Sequence, residues 1–222
     1  MSKMSSIGRK FLMALSGFFL MFFLLQHFSI NFLSVVSPDA FNQTSQFMGT
    51  NSLIQYVMQP VLMFGIIFHF VMAFILETKN KSARPIKYYS KNKSGGSKIS
   101  KNMIYSGLAI LLFLGLHLYD FWVHEMIVKY GHGDMTGLNA HGEFRYYEEL
   151  VAKFQDIWRV IIYILAFAFL GLHTNHGFSS AFQSVGANHP KYTPIIKAVG
   201  IIYSVFLPLG FAFIAIYHYL FN

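Results

Sequence analysis

FLMALSGFFLMFFLLQHFSINFLSVV, residues 11–36, contains no Asp, Glu, Lys or Arg, and it decides the fold class. The hydrocarbon of a bilayer is roughly 30 Å thick and takes about 20 helical residues to cross. This run crosses it with length to spare. Four more stretches are of the same kind: 53–76 with Pro60 near its start, 103–128, 157–182, and 195–221 with Pro208 inside. Prolines are tolerable in membrane helices whose neighbours satisfy the carbonyls they free. The composition agrees: of 222 residues 55% are hydrophobic and only 12% charged, about half the charged share of a soluble domain. Mean hydropathy is +0.46. A water-soluble fold of this size has too little interior to hide so much apolar surface. The first run is also too long for the apolar region of a signal peptide, and no small-residue cleavage motif follows it. The expectation is an all-α, polytopic membrane protein with five transmembrane helices, forming one domain over residues 1–222.

The basic residues predict its orientation. Lys3, Arg9 and Lys10 precede the first span, and no Lys or Arg separates the first from the second. Lys79, Lys81, Arg84, Lys87, Lys91, Lys93, Lys98 and Lys101 follow the second span, against the single acid Glu77. The next connection is the acidic one, with Asp134, Glu143, Glu148, Glu149 and Asp156, and the last carries Lys191 and Lys197. Lys- and Arg-rich connections stay inside, so the N-terminus is expected inside and Asn222 outside. Orientation accounts for the net charge of +8, and no nucleic-acid partner is expected. The Lys/Ser/Gly-rich stretch 90–101 reads as a solvated linker attracted to anionic lipid headgroups. Residues 144–154 read as a short amphipathic helix in the outer connection. No internal repeat, phosphate-binding glycine pattern, catalytic serine or acid pair is apparent, so no bond-making chemistry by this chain alone is expected.

Cysteine is absent, which excludes disulfides, iron–sulfur ligation and thiolate zinc sites. Histidine is not scarce: there are ten. Ionisable residues inside a span are costly and point to function, and His27, His69, His117, His173 and His176 all stand well inside. At 1.5 Å per residue, His27 and His117 lie ~21–24 Å from the inner face, and His69 and His173 ~11–14 Å from it. Two pairs result, each drawn from two helices running in the same direction, offset vertically by ~7–13 Å. Two imidazoles facing each other from separate helices suit the two axial positions of a haem iron held in a helical bundle. Zinc wants three or four ligands at one depth. Gly65, one turn before His69, and Gly177, one turn after His173, share their histidines' faces. Their missing side chains either make room for a flat macrocycle or allow close helix packing.

Several segments resemble the five-helix, two-haem cytochrome b membrane anchor of succinate dehydrogenase and fumarate reductase (succinate:quinone oxidoreductase). They are FLLQHFSIN (23–31) followed by AFNQTSQFM (40–48), IIFHFVMAF (66–74), LGLHLYDFW (114–122) and GLHTNHGF (171–178). The resemblance covers nearly the whole chain. It implies a four-helix core binding two haem b groups plus a fifth helix, with iron axial ligands paired His27 with His117 and His69 with His173. The family's fourth-helix histidine is followed four residues later by glycine, which favours His173 over His176. His176 is then a neighbouring or propionate-side group, and Arg159 either pairs with a propionate or stands as a solvated charge at a helix start. Some quinol-oxidising members carry a glutamate two residues before that histidine, where this chain has Gly171. Asp120 and His124 extend a polar stripe from His117 toward the outer surface. They are candidates for a quinone site, or else groups that solvate the interface or support His117. The resemblance further implies a flavoprotein subunit and an iron–sulfur subunit docked on the inner face. It also implies a quinone substrate, expected to be menaquinone, and residence among the lipids of a bacterial cytoplasmic membrane. Two alternatives remain open: another quinone-linked di-haem cytochrome b, of the hydrogenase or formate dehydrogenase type, and a haem-free transporter or scaffold.

Overall fold

The computed structural model describes residues 5–82 and 96–222, and each long apolar run in them is helical. Lys3, Arg84, Lys87, Lys91, Lys93 and the 90–95 part of the expected linker lie outside the described residues. The first helix, α1, Ser6–Val36, is capped by the Ser5 hydroxyl, which accepts the Gly8 N–H at 3.0 Å. α2, Pro38–Thr50, starts on the Ser37 hydroxyl, with proline in its first turn and Asp39 beside it. These are strong helix-start signals, although the sequence reading places no helix there. A π-helical turn, Ile54–Met58, leads into α3, Gln59–Ser82. α4, Gly96–His117, continues through a π-helical segment, Leu118–Val123, then α5, His124–Met126, and a third wide turn, Ile127–Gly131. α6, Tyr146–Phe154, α7, Ile157–Ser184, and α8, Thr193–Phe221, complete the chain.

Five continuous helical units are long and apolar enough to cross a membrane: Ser6–Val36, Ile54–Asn80, Met103–Gly131, Ile157–Ser184 and Thr193–Phe221. Two boundaries differ from expectation. α4 begins at Gly96, inside the stretch read as a linker. α6 begins at Tyr146, because Phe144 pairs with Leu138 in an isolated antiparallel bridge. The units alternate in direction. Residues 5–10, 82, 96 and 184–193 gather at one end, called here the near end, and residues 36, 131, 157 and 222 at the far end.

The side-chain distribution inverts that of a soluble protein. Phe22, Phe64, Leu112, Leu165 and Ile202 point outward and are exposed, whereas Ser16, Ser34, Ser106, Asp120, Thr174, Ser204 and His218 are buried. Lipid imposes no penalty on an apolar exterior, so polar groups collect where other helices can satisfy them. Phe28, Phe154, Tyr163, Phe167, Leu207, Phe211 and Ile214 form one apolar cluster among α1, α6, α7 and α8. α7 and α8 come close at Gly171. A Cβ there would stand 2.9 Å from the Ser204 carbonyl oxygen and 3.5 Å from Pro208 Cγ. Proline has no N–H to donate to the carbonyl four residues back, so the carbonyl that Pro208 frees faces this glycine.

A charged clasp closes the far end. Lys129, buried, donates to the Gly49 carbonyl and pairs with Glu125 at 2.9 Å. Arg145 bridges Glu125 and Glu149, the Tyr146 hydroxyl donates to Gln46 Oε1 at 2.9 Å, and Asn42 Oδ1 accepts the Tyr147 N–H at 2.8 Å. Burial works against the Arg145 charge, yet hydrogen bonds to Glu125 and Glu149 hold its pKa above the usual guanidinium value. Burial, reinforced by the Glu125 charge, pushes the Tyr146 phenol up to about 12. The clasp fixes α2 and α6 over the end of the third span.

Candidate functional site

Helix periodicity brings the four expected histidines into two cross-helix pairs. His27 of α1 and His117 of α4 stand with ring centroids 5.7 Å apart and planes at 85°. His69 of α3 and His173 of α7 stand 6.3 Å apart with planes at 69°. All four remain half-buried rather than sealed, although they face one another inside the bundle.

Hydroxyl groups stand at the Nδ1 atoms of His69 and His117. The Ser16 hydroxyl donates to the Met13 carbonyl at 2.8 Å and lies 3.0 Å from His69 Nδ1, from which its oxygen accepts when that nitrogen carries the ring proton. The Tyr163 hydroxyl donates to Asp120 Oδ2 at 3.0 Å and accepts from His117 Nδ1 at 3.5 Å. A neutral ring protonated at Nδ1 carries its lone pair on Nε2. The Ser106 hydroxyl likewise donates to Met103, at 3.1 Å, and lies 3.4 Å from His173 Nδ1, with the Met103 carbonyl also meeting that ring. Each pair thus brings two imidazoles face to edge within the bundle, each with a polar neighbour at a ring nitrogen. Asn31 donates to the His27 carbonyl at 2.8 Å and passes 3.4 Å from the ring nitrogens.

Asp120 is 1% exposed and pairs with Arg159 at 3.2 Å. Arg159 is thus engaged by a carboxylate of the third span. His124 does not continue that stripe: it pairs with Glu149 at 3.3 Å, on the clasp. His176 Nδ1 donates to the Leu172 carbonyl of its own helix at 2.8 Å. Gly65 is a packing glycine, since a Cβ there would meet the Phe19 ring at 2.5 Å. At Gly177 the nearest atom is the flexible end of Met103, 3.9 Å away. A side chain at position 171 would enter the α8 backbone, so the family's glutamate has no room in this arrangement.

The sequence reading missed a short repeat. SGFFLMFFLLQH (16–27) on α1 and SGLAILLFLGLH (106–117) on α4 both follow Ser-Gly with His, at one spacing. That spacing is about three helical turns, so serine and histidine share a face about 16 Å apart. The near pair lies at the level of the serines and the far pair at that of α1 and α4's own histidines. The levels are therefore about 16 Å apart rather than 7–13 Å. The discrepancy arises because hydropathy clips polar helix ends, most of all the near ends of α1 and α4, which begin at Ser6 and Gly96 and so place His27 and His117 deeper than expected. Gly17 stands beside His69 and Gly107 beside His173, where a Cβ would come within 3.8 Å and 3.4 Å of the rings. Phe23 and Phe113, one turn below the far histidines, occupy the interval between the levels.

His218 of α8, fully buried, is the deep histidine the sequence reading overlooks. It donates from Nε2 to Ser34 Oγ at 2.8 Å and accepts at Nδ1 from Asn222 at 3.2 Å, so both nitrogens are satisfied. Among the described residues no three His, Cys, Asp or Glu side chains converge on one point for a metal ion. No family model, curated protein or solved structure matches the chain.

Proposed function

We propose that this chain is the di-haem cytochrome b membrane anchor of a succinate:quinone oxidoreductase, carrying electrons between an iron–sulfur subunit and a membrane quinone. The single observation that supports this reading is the two histidine pairs at two levels. With metal–imidazole bonds of about 2 Å and about 1.1 Å from nitrogen to ring centre, two rings in line across one metal stand about 6.3 Å apart. The near pair is at 6.3 Å, and the far pair, at 5.7 Å, needs a small widening. Glycines beside the near rings and the half-burial of all four suit a flat macrocycle.

Haem would supply one-electron chemistry when bound. The chain's own residues hold and tune each centre. His69 and His173 would ligate the near haem, and His27 and His117 the far one. Tyr163 and Asp120 keep the His117 proton on Nδ1, with Arg159 neutralising the carboxylate. The phenylalanine layer keeps water out of the interval between the levels. In this reading the near end is cytoplasmic, where the basic residues meet a flavoprotein and an iron–sulfur subunit. The far end faces outward in a bacterial cytoplasmic membrane, with menaquinone as acceptor.

The test is a reduced-minus-oxidised spectrum with haem quantification for the purified chain and for His27→Ala, His69→Ala, His117→Ala and His173→Ala. Two haems in the parent are expected, with loss of one centre when either member of its pair is replaced. A colourless parent refutes the proposal. Hydrogenase or formate dehydrogenase subunits co-purifying with the chain would move it to the related class.

A further inference from the structure

We propose that Ser16 and Ser106 are positioning residues that set the proton, and hence the donor strength, of the two near-pair histidines; this rests on the haem reading above. The Ser16 hydroxyl lies 2.8 Å from the Met13 carbonyl and 3.0 Å from His69 Nδ1; with its proton on the carbonyl, its oxygen accepts the His69 Nδ1–H. Ser106 repeats the arrangement with Met103 at 3.1 Å and His173 at 3.4 Å. Both serines are buried, so water does not replace them. Each is followed by a glycine lying against the same ring. Each also stands three turns before the histidine its own helix gives to the far pair. One helix face therefore supports one centre and ligates the other, in α1 and again in α4.

Two consequences follow for the near centre. A fixed Nδ1–H keeps the Nε2 lone pair turned to the metal. An acceptor on Nδ1–H makes the imidazole a stronger donor, which favours the oxidised iron. The far centre takes its support from Tyr163 and is untouched by either serine.

The experiment is a redox titration of both haems in the purified protein carrying Ser16→Ala, Ser16→Thr, Ser106→Ala or Ser106→Thr. Ser34→Ala, which removes the acceptor of His218, is the control. Removing one hydrogen bond is expected to shift the near centre's equilibrium toward the reduced form by about three- to tenfold. The effect should be larger for S16A than for S106A, with recovery in the threonine variants. The far centre, and both centres of S34A, should not move. Loss of the near centre alone in S16A, restored by S16T, supports the same role. Equal shifts at both centres, no shift, loss of both, or alanine and threonine behaving alike would overturn it. Nitrogen NMR of histidine-labelled protein reads the tautomer without haem. A colourless parent would refute the haem reading, while the His69 tautomer would still decide the role of Ser16. Nδ1–H in the parent and S16T with a mixture in S16A sustains it, and Nε2–H in the parent overturns it.

Discussion

Gly171→Ala and Gly177→Ala are the same chemical change on one helix, six residues apart, and their outcomes should have opposite signs. Alanine gains ~0.8–1 kcal/mol over glycine in a helix interior. At position 177 little opposes that gain, because the new methyl would lie 3.9 Å from the movable end of Met103. At position 171 it would lie 2.9 Å from the Ser204 carbonyl oxygen, and ordinary contact begins at 3.4 Å. The obstacle is backbone, so α8 must retreat by about half an ångström along a packed face. Overpacking of that kind costs ~1–3 kcal/mol. The net expectation is a loss of up to about 2 kcal/mol for G171A and a gain of up to ~1 kcal/mol for G177A. For a chain of this length the difference of ~1–3 kcal/mol spreads the melting temperatures by roughly 2–12 °C. The assay is thermal unfolding in detergent followed by helix circular dichroism, on haem-free protein so that packing alone is read. G171A melting at or above the parent would refute the close α7–α8 approach. Haem content of G177A then tests the other face: room reserved for a macrocycle predicts fewer haems in a chain that is no less stable.

The Asp120–Arg159 pair should break asymmetrically. Arg159→Gln strands a buried carboxylate and should cost ~3–5 kcal/mol, whereas Asp120→Asn leaves a guanidinium that is 27% exposed and can turn to water at the cost of ~1–3 kcal/mol. The same melts check the order, and a reversed order would contradict the burial. Tyr146, raised to about 12 from 10.0, favours the folded state fully below pH 10, and that contribution disappears as pH rises through 12. Tyr146→Phe should make the alkaline loss of stability shallower between those limits, read as unfolding against pH; an unchanged slope would argue against a buried phenol in the clasp.

The five spanning helices were legible because lipid makes hydropathy a direct readout of position, and charge-free runs such as 11–36 admit no other structure. The histidine pairs were legible for a related reason: helix rise turns sequence position into depth, and two matched depths are hard to produce otherwise. Boundaries were less so, since polar ends such as those of α3 and α7 carry no hydropathy signal although they continue the helix. α2 was readable from Ser37, Pro38 and Asp39, but its polar composition masked it. Tyr163 could not have been found from sequence. Its role depends on α7 lying against α4 at the one turn where the hydroxyl reaches both Asp120 and His117, and on a π-helical segment that no residue pattern announces.

In the proposed reading, the Ser-Gly repeat explains how two sites would share one small bundle. A buried imidazole needs a partner for its second nitrogen, and at His69 and His173 a serine of a neighbouring helix stands there. If each ligand drew on a helix of its own, two centres would require more helices than the chain has. Placing serine and histidine three turns apart on one face lets α1 and α4 each serve both levels. That saving also fixes the spacing: the near level cannot slide along α1 and α4 without losing the serines beside its rings. A helical insertion of one residue between Ser16 and His27 would rotate the two groups about 100° apart. The distance between centres is therefore set by the geometry of two helices rather than by the loops, which leaves the loops at either end free to change.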